Sequence, residues 1–218
     1  MKKLNNLKNF AILSAASVLL LNSGNAHAIG IAVVGAGTLS KPALSSNYID
    51  TFSGKVGLGG GALVDFGILP MLSFQVGGLY VTRTYTDTVG AVVITDQLHY
   101  LEVPAQFRLM LGRVFSVGLG GYWAVGMGNI TQTNGSVTNS NVTYGNFGLK
   151  NHDLGLIGSL NAAIPLGAMV QLYAEGQYLY GLQNELTDAA ITASPTSSYK
   201  NRDIQFLLGL RFGMMGKK

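Results

Sequence analysis

The stretch LHYLEVPAQFRL at residues 98–109 constrains the chain most. Leu101, Val103, Ala105, Phe107 and Leu109 share one parity, and Tyr100, Glu102, Gln106 and Arg108 share the other. Successive side chains of an extended backbone point to opposite sides, so a period of two marks a β-strand with one apolar and one polar face. Pro104 lies on the polar parity without an N–H, which predicts a bulge or a missing ladder bond there.

The pattern repeats along the chain. A first strand at 30–39 is rich in Ala, Val and Gly, and its facing is ambiguous. Further strands are read at 54–66, 71–84, 98–109, 115–125, 152–164, 170–180 and 201–213. Tight turns fall at Leu69-Pro70, Gly112-Arg113 and Pro165-Leu166-Gly167. Residues 40–53, the Thr- and Asp-bearing stretch to about Asp96, the Asn/Thr/Ser/Gly-rich 128–151 and the segment holding Pro195 read as loops. Eight strands with alternately long and short connections predict an all-β fold, an eight-stranded antiparallel up-and-down transmembrane β-barrel. Strands of about 10 to 14 residues satisfy the 9 to 11 that a tilted spanning strand needs.

Alternation alone does not say which face meets water, since a soluble barrel is apolar inside. Glycine decides. It crowds the polar parity of strands two and five, where small residues suit a lumen so narrow that side chains just fill it. The apolar parity carries no mid-strand Asp, Glu or Lys, as lipid exposure requires. The polar parity therefore predicts a lumen network of Lys55, Asp65, Gln75, Tyr100, Glu102, Gln106, Arg108, Asp153, Gln171, Tyr173, Glu175, Gln177, Asp203 and Arg211, with Tyr122 beside it. Such a network is either an ion path or substrate pocket, or a polar plug, and the small interior of eight strands favours the plug.

Residues 1–28 read as a cleaved secretory signal: Lys2, Lys3 and Lys8, a twelve-residue apolar run from Phe10, then Ala26-His27-Ala28. The barrel is assigned to 29–218. Removing the three lysines from the 14 Lys and Arg leaves 11 bases against 10 acids, without a basic cluster, which argues against nucleic acid as a partner. There is no cysteine, so an exported chain of this kind holds together without disulfides.

Chemistry-bearing motifs are sparse. His99 and His152 fall on the outward parity near the loop-side strand ends, too few for a metal site and without an oriented nucleophile for catalysis. Gly59-Gly60-Gly61 sits mid-strand with no helix after it, so it reads as packing and not as a phosphate loop. Tyr80, Trp123, Tyr178 and Tyr180 suit an aromatic girdle. No cofactor or metal is expected.

The stretches YLEVPAQFRL (100–109), DLGLIGSLN (153–161), YAEGQYLYGLQN (173–184) and NRDIQFLLGLRF (201–212) together resemble the small bacterial outer-membrane β-barrel domain family, a PorT-like group related in architecture to OmpX and the OmpA membrane domain. The resemblance implies a Gram-negative outer-membrane location, outer-membrane lipids as surroundings and the barrel assembly machinery as a partner during biogenesis. It implies no catalytic residues. The expected role is non-enzymatic, in envelope structure or in surface interaction, with extracellular ligands met through the 128–151 loop. The alternatives are a narrow pore for small solutes or ions and a lipid-modifying barrel enzyme. The enzyme would need a Ser or Asp beside a His on one face of the outer rim, which these positions do not supply.

Overall fold

The computed structural model describes residues 29–41, 43–45, 53–89, 92–135, 137–188 and 198–213. The signal segment 1–28 and Pro195 lie outside the described residues. The strands are β1 (Ile29–Ser40), β2 (Ala43–Ser45), β3 (Ser53–Leu69), β4 (Leu72–Val89), β5 (Val92–Leu111), β6 (Phe115–Gly126), β7 (Ile130–Asn134), β8 (Val137–Val142), β9 (His152–Pro165), β10 (Val170–Gly181), β11 (Ser198–Lys200) and β12 (Arg202–Gly213). Eight of them, β1, β3, β4, β5, β6, β9, β10 and β12, form a ring in which each pairs antiparallel with its neighbours in that order. The first and last pair from Gly30–Gly213 to Ser40–Asp203, which closes the seam and removes the free edge that an open sheet would present.

The outward face is apolar. Ile31, Val33, Leu58, Phe107, Leu119, Leu160, Phe206 and Leu208 are all exposed, and Phe107 and Leu109 stand on the same side of β5. The inward face holds Glu102 and Arg108 at 0% and 2% exposure. A soluble protein would bury the first set and expose the second, so lipid is the solvent that fits. Strand β1, ambiguous by pattern, turns Ile31, Val33 and Leu39 outward and Ala32, Val34, Ala36 and Thr38 inward. Its alternation was hidden because it contributes apolar side chains to both faces.

At Pro104 the ladder to β4 is interrupted. Pairing passes from Val76–Ala105 to Leu79–Glu102 in unchanged register and skips Gly77 and Gly78. The ladder to β6 runs unbroken through Pro104–Tyr122. The proline thus costs pairing on one side only, opposite two glycines.

Four stretches read as loops are partly strand. Residues 85–89 and 92–96 continue β4 and β5 as a long hairpin, paired from Tyr85–Asp96 to Val89–Val92. Eighteen residues at roughly 3.3 Å each outrun the roughly 30 Å hydrocarbon core even when tilted by about 45°, so this hairpin rises above the membrane. Residues 128–151 contain β7 and β8, with β7 laid on the β5 extension. Finally β2 pairs β11 in a small ribbon at the same end.

Candidate functional site

The lumen is filled in two charged tiers. On the turn side, Arg108 donates through Nη1 to Asp65 at 3.0 Å and lies 3.9 Å from Glu175, while Arg211 stands 3.4 Å from Asp65. Gln75 donates to Asp65 (3.2 Å) and to the Tyr173 hydroxyl (3.0 Å), and Gln106 donates to Gln75 (2.7 Å) and Glu175 (2.8 Å). Gln177 donates to Glu175 at 3.1 Å, Tyr173 bonds the same carboxylate, and Arg108 lies over the Tyr173 ring.

On the loop side, Arg83 is the hub. Its Nε lies 2.8 Å from Asp203, its Nη1 3.0 Å from Asp153 and its Nη2 3.5 Å from Glu102, all essentially buried. Tyr122 donates its hydroxyl to Asp153 at 2.8 Å, and Arg83 stacks over the Tyr100 ring at 4.5 Å. A guanidinium suits this place, with five donors in a planar fork for several carboxylates and a flat face for an aromatic ring.

An apolar band separates the tiers. Leu79 lies midway between Gln75 and Arg83 on β4, Ile157 between Asp153 and Asn161 on β9, and Leu207 between Asp203 and Arg211 on β12, each at most 2% exposed. The space is tight enough to demand glycine. A Cβ on Gly155 would strike the Tyr122 ring, and one on Gly118 would strike Ser159 Oγ and Gln106 Oε1.

The loop-side mouth is covered. Leu149 bridges Leu186, Lys150 N donates to Glu185 O (2.6 Å), Thr187 N to Gly148 O (2.9 Å) and Glu185 N to Tyr199 O (2.9 Å). Tyr144 donates its hydroxyl to His99 O at 2.6 Å and sets its ring edge-on to Tyr100. Beneath this cover Glu185 is 1% exposed and accepts from Asn201, which also donates to Asp153 at 2.9 Å. Burial pushes the Glu185 carboxyl well above its ordinary value. An open recess of about 420 Å³ beside the cover is lined by Gly126, Asn129, Tyr144, Lys150, Asn151 and His152.

Of the residues expected in the lumen, Asp65, Gln75, Tyr100, Glu102, Gln106, Arg108, Asp153, Tyr173, Glu175, Gln177 and Asp203 are buried there, and Arg211 is partly exposed at the turn-side end. Gln171 is half-buried beside Arg211. Lys55 is a correction. A one-residue register shift against β4 between Lys55 and Gly59 sets it opposite Thr84, and its side chain stands exposed at the rim with Nζ 3.5 Å from Thr95 Oγ1. The expectation followed parity, and parity fails across a bulge.

Arg83, Glu185 and Asn201 were missed, as was Ser116, which accepts from Arg108 Nη2 at 3.1 Å. Arg83 lay on the polar parity at the end of the strand read at 71–84 but was left out of the charge network. Glu185 and Asn201 sit in or beside a loop, where no periodicity announces them. His99 and His152 both face outward; His99 stacks on Tyr80, and His152 lies 3.0 Å from Gln183. Among the described residues no group of three His, Cys, Asp or Glu is placed to hold a metal ion.

No protein-family model and no curated protein matches the chain. Among solved structures it is similar to the outer membrane protein OprG from Pseudomonas aeruginosa, at 12% identity and a TM-score of 0.50, over 88% of this chain and 97% of that one. Ail of Yersinia pestis, solved in complex with the heparin analogue sucrose octasulfate, aligns at 12% identity and a TM-score of 0.47 over 86% and 99%. Neisserial surface protein A aligns at 13% and 0.45 over 85% and 97%. At such identities likeness speaks to fold alone, and the closed ring and the OprG match agree on it: the chain is an eight-stranded antiparallel up-and-down transmembrane β-barrel.

Proposed function

We propose that the protein is a non-enzymatic integral outer-membrane barrel of the PorT-like kind, exported by a signal at residues 1–28, that serves envelope structure or surface interaction through its loop-side elements. The observation that carries this reading is the filled lumen. Two ion-paired tiers, an apolar band and a knitted cover leave the loop-side surface as the part available to partners. The short turns and both barrel ends at Ile29 and Gly213 lie opposite that surface, the arrangement of barrels whose long loops face outward. The projecting hairpin β7–β8, with Thr133, Asn139 and their neighbours, is the surface an extracellular ligand would meet.

Cell fractionation and gel migration test the location. The protein is expected with outer membranes and with heat-modifiable mobility; recovery as a soluble periplasmic monomer would contradict the proposal. For the absence of enzymatic activity on lipid, mass spectra of lipid A from cells with and without the protein are expected to match.

A further inference from the structure

The chain sorts its charges by side. Asp65, Glu102, Asp153, Glu175 and Asp203 lie in the lumen, and Glu185 lies under the cover. Four of the remaining described bases, Lys41, Lys55, Lys200 and Arg202, lie on one arc of the loop-side rim. Lys41 follows β1 and donates its N–H to Arg202 O at 2.9 Å, which places it beside the start of β12. Lys200 precedes Arg202 by two residues, and Lys55 stands exposed at the rim of β3 on the other flank of β1. The ring order β10, β12, β1, β3 makes these four cations neighbours.

Among the described residues this arc carries no outward acid. Asp96, on the β4–β5 hairpin next to β3, is buried and accepts from Gln132 at 3.0 Å, Asp87 belongs to the same hairpin, and Asp188 stands 3.8 Å from Lys150, toward β9. Asp50 lies outside the described residues. On the turn side the described outward cation is Arg113, alone.

Arg202 sits at the level that decides what the arc meets. It shares the outward parity of Ile204 and Phe206, and its Cζ lies 3.6 Å from the centroid of the outward-facing Tyr180 ring. Nη1 is held by Gly181 O (2.8 Å) and Asn201 O (2.7 Å), which fixes the guanidinium in place. Outward Tyr178, Tyr180 and Trp123 mark the headgroup level, where aromatic side chains collect. A guanidinium pinned there faces lipid phosphate in a geometry suited to bidentate bonding, with lysines close by to add charge.

We propose that this rim, centred on Arg202 with Lys41, Lys200 and Lys55, is a binding surface for the phosphate groups of anionic lipid in the leaflet that the loop side meets. The inference rests on the membrane reading above. The test is native mass spectrometry of the barrel in neutral detergent, titrated with phosphatidylglycerol, with phosphatidylcholine and with inorganic phosphate. The wild type is expected to retain phosphatidylglycerol over phosphatidylcholine by about tenfold or more, since each cation at a membrane surface gains roughly fivefold against anionic lipid.

The triple variant Lys41→Gln, Lys200→Gln, Arg202→Gln is expected to bring the two lipids to parity, whereas Arg113→Gln leaves the preference intact. Heat-modifiable migration reports the folded barrel independently, so lost preference in a folded variant concerns the rim and not the fold. Should the triple variant not fold, raising the salt from about 0.05 M to about 0.5 M must collapse the wild-type preference, because screening shortens from roughly 14 Å to 4 Å. Equal retention of both lipids by the wild type, an unchanged preference in the folded variant, or a preference indifferent to salt would each overturn the proposal. Displacement of phosphatidylglycerol by equimolar inorganic phosphate would make this a site for free anion, which overturns the lipid assignment.

Discussion

Arg83 and Glu102 illustrate how differently two buried charges can matter. Arg83 touches three carboxylates and stacks on Tyr100, so removing it strands Asp153 and Asp203 without their counter-ion in a place water does not reach. Arg83→Met is expected to destabilise the barrel by about 3 to 5 kcal/mol, the usual penalty for breaking a buried pair from one side. Glu102 is the weak member: it lies 3.5 Å from Arg83, and neither of its oxygens has a hydrogen-bond partner. Glu102→Gln is therefore expected to change stability by less than about 1 kcal/mol. Urea unfolding in phospholipid vesicles, followed by the fluorescence of Trp123, the single tryptophan, measures both. Parity made Asp65, Gln106, Arg108 and Glu175 legible as lumen residues because the strand stretches around them keep register, Asp65 lying between the two shifts of β3. Lys55 was misplaced because a bulge intervenes, and Arg83, on the polar parity at the end of the strand read at 71–84, was left out of the network although its strand was placed.

The elements divide at the membrane surface. Within the bilayer each strand has a lipid face and a lumen face, so the period of two was readable and all eight spanning strands could be placed in order from it. Above the bilayer a strand meets water on one or both sides, and the hydrophobic signal disappears. That is why the Thr- and Asp-bearing ends of β4 and β5 and the Thr- and Asn-rich β7–β8 hairpin read as loops although they are paired. The cover built on these elements carries its own pH dependence through Glu185, which faces Asp153, Arg83, Asp203 and Tyr199. Burial raises its carboxyl, so the closed cover holds the protonated form. The stabilisation is complete below its ordinary value of 4.5 and is lost as the pH rises through the raised one. Limited proteolysis between residues 144 and 188 should accelerate as the pH is raised above 4.5, and Glu185→Gln should flatten that dependence. A wild-type rate independent of pH would show that Glu185 does not latch the cover.

As a whole, the molecule keeps most of its described acids inside, many of its leucines and phenylalanines toward lipid, and Lys41, Lys55, Lys200 and Arg202 on one rim. The lumen itself is more apolar than the sequence indicated, because Leu63, Leu79, Ile157 and Leu207 occupy the polar parity between the charged tiers. An apolar band of this kind resists hydration and ions alike. With the ion-paired tiers it supports the proposed role, a sealed wall element whose working surface is its exterior. Single-protein recording in planar bilayers tests that claim most directly. No conductance steps above the bare-membrane background are expected from the wild type; reproducible open-channel steps whose size changes on Glu102→Ala would contradict a sealed lumen.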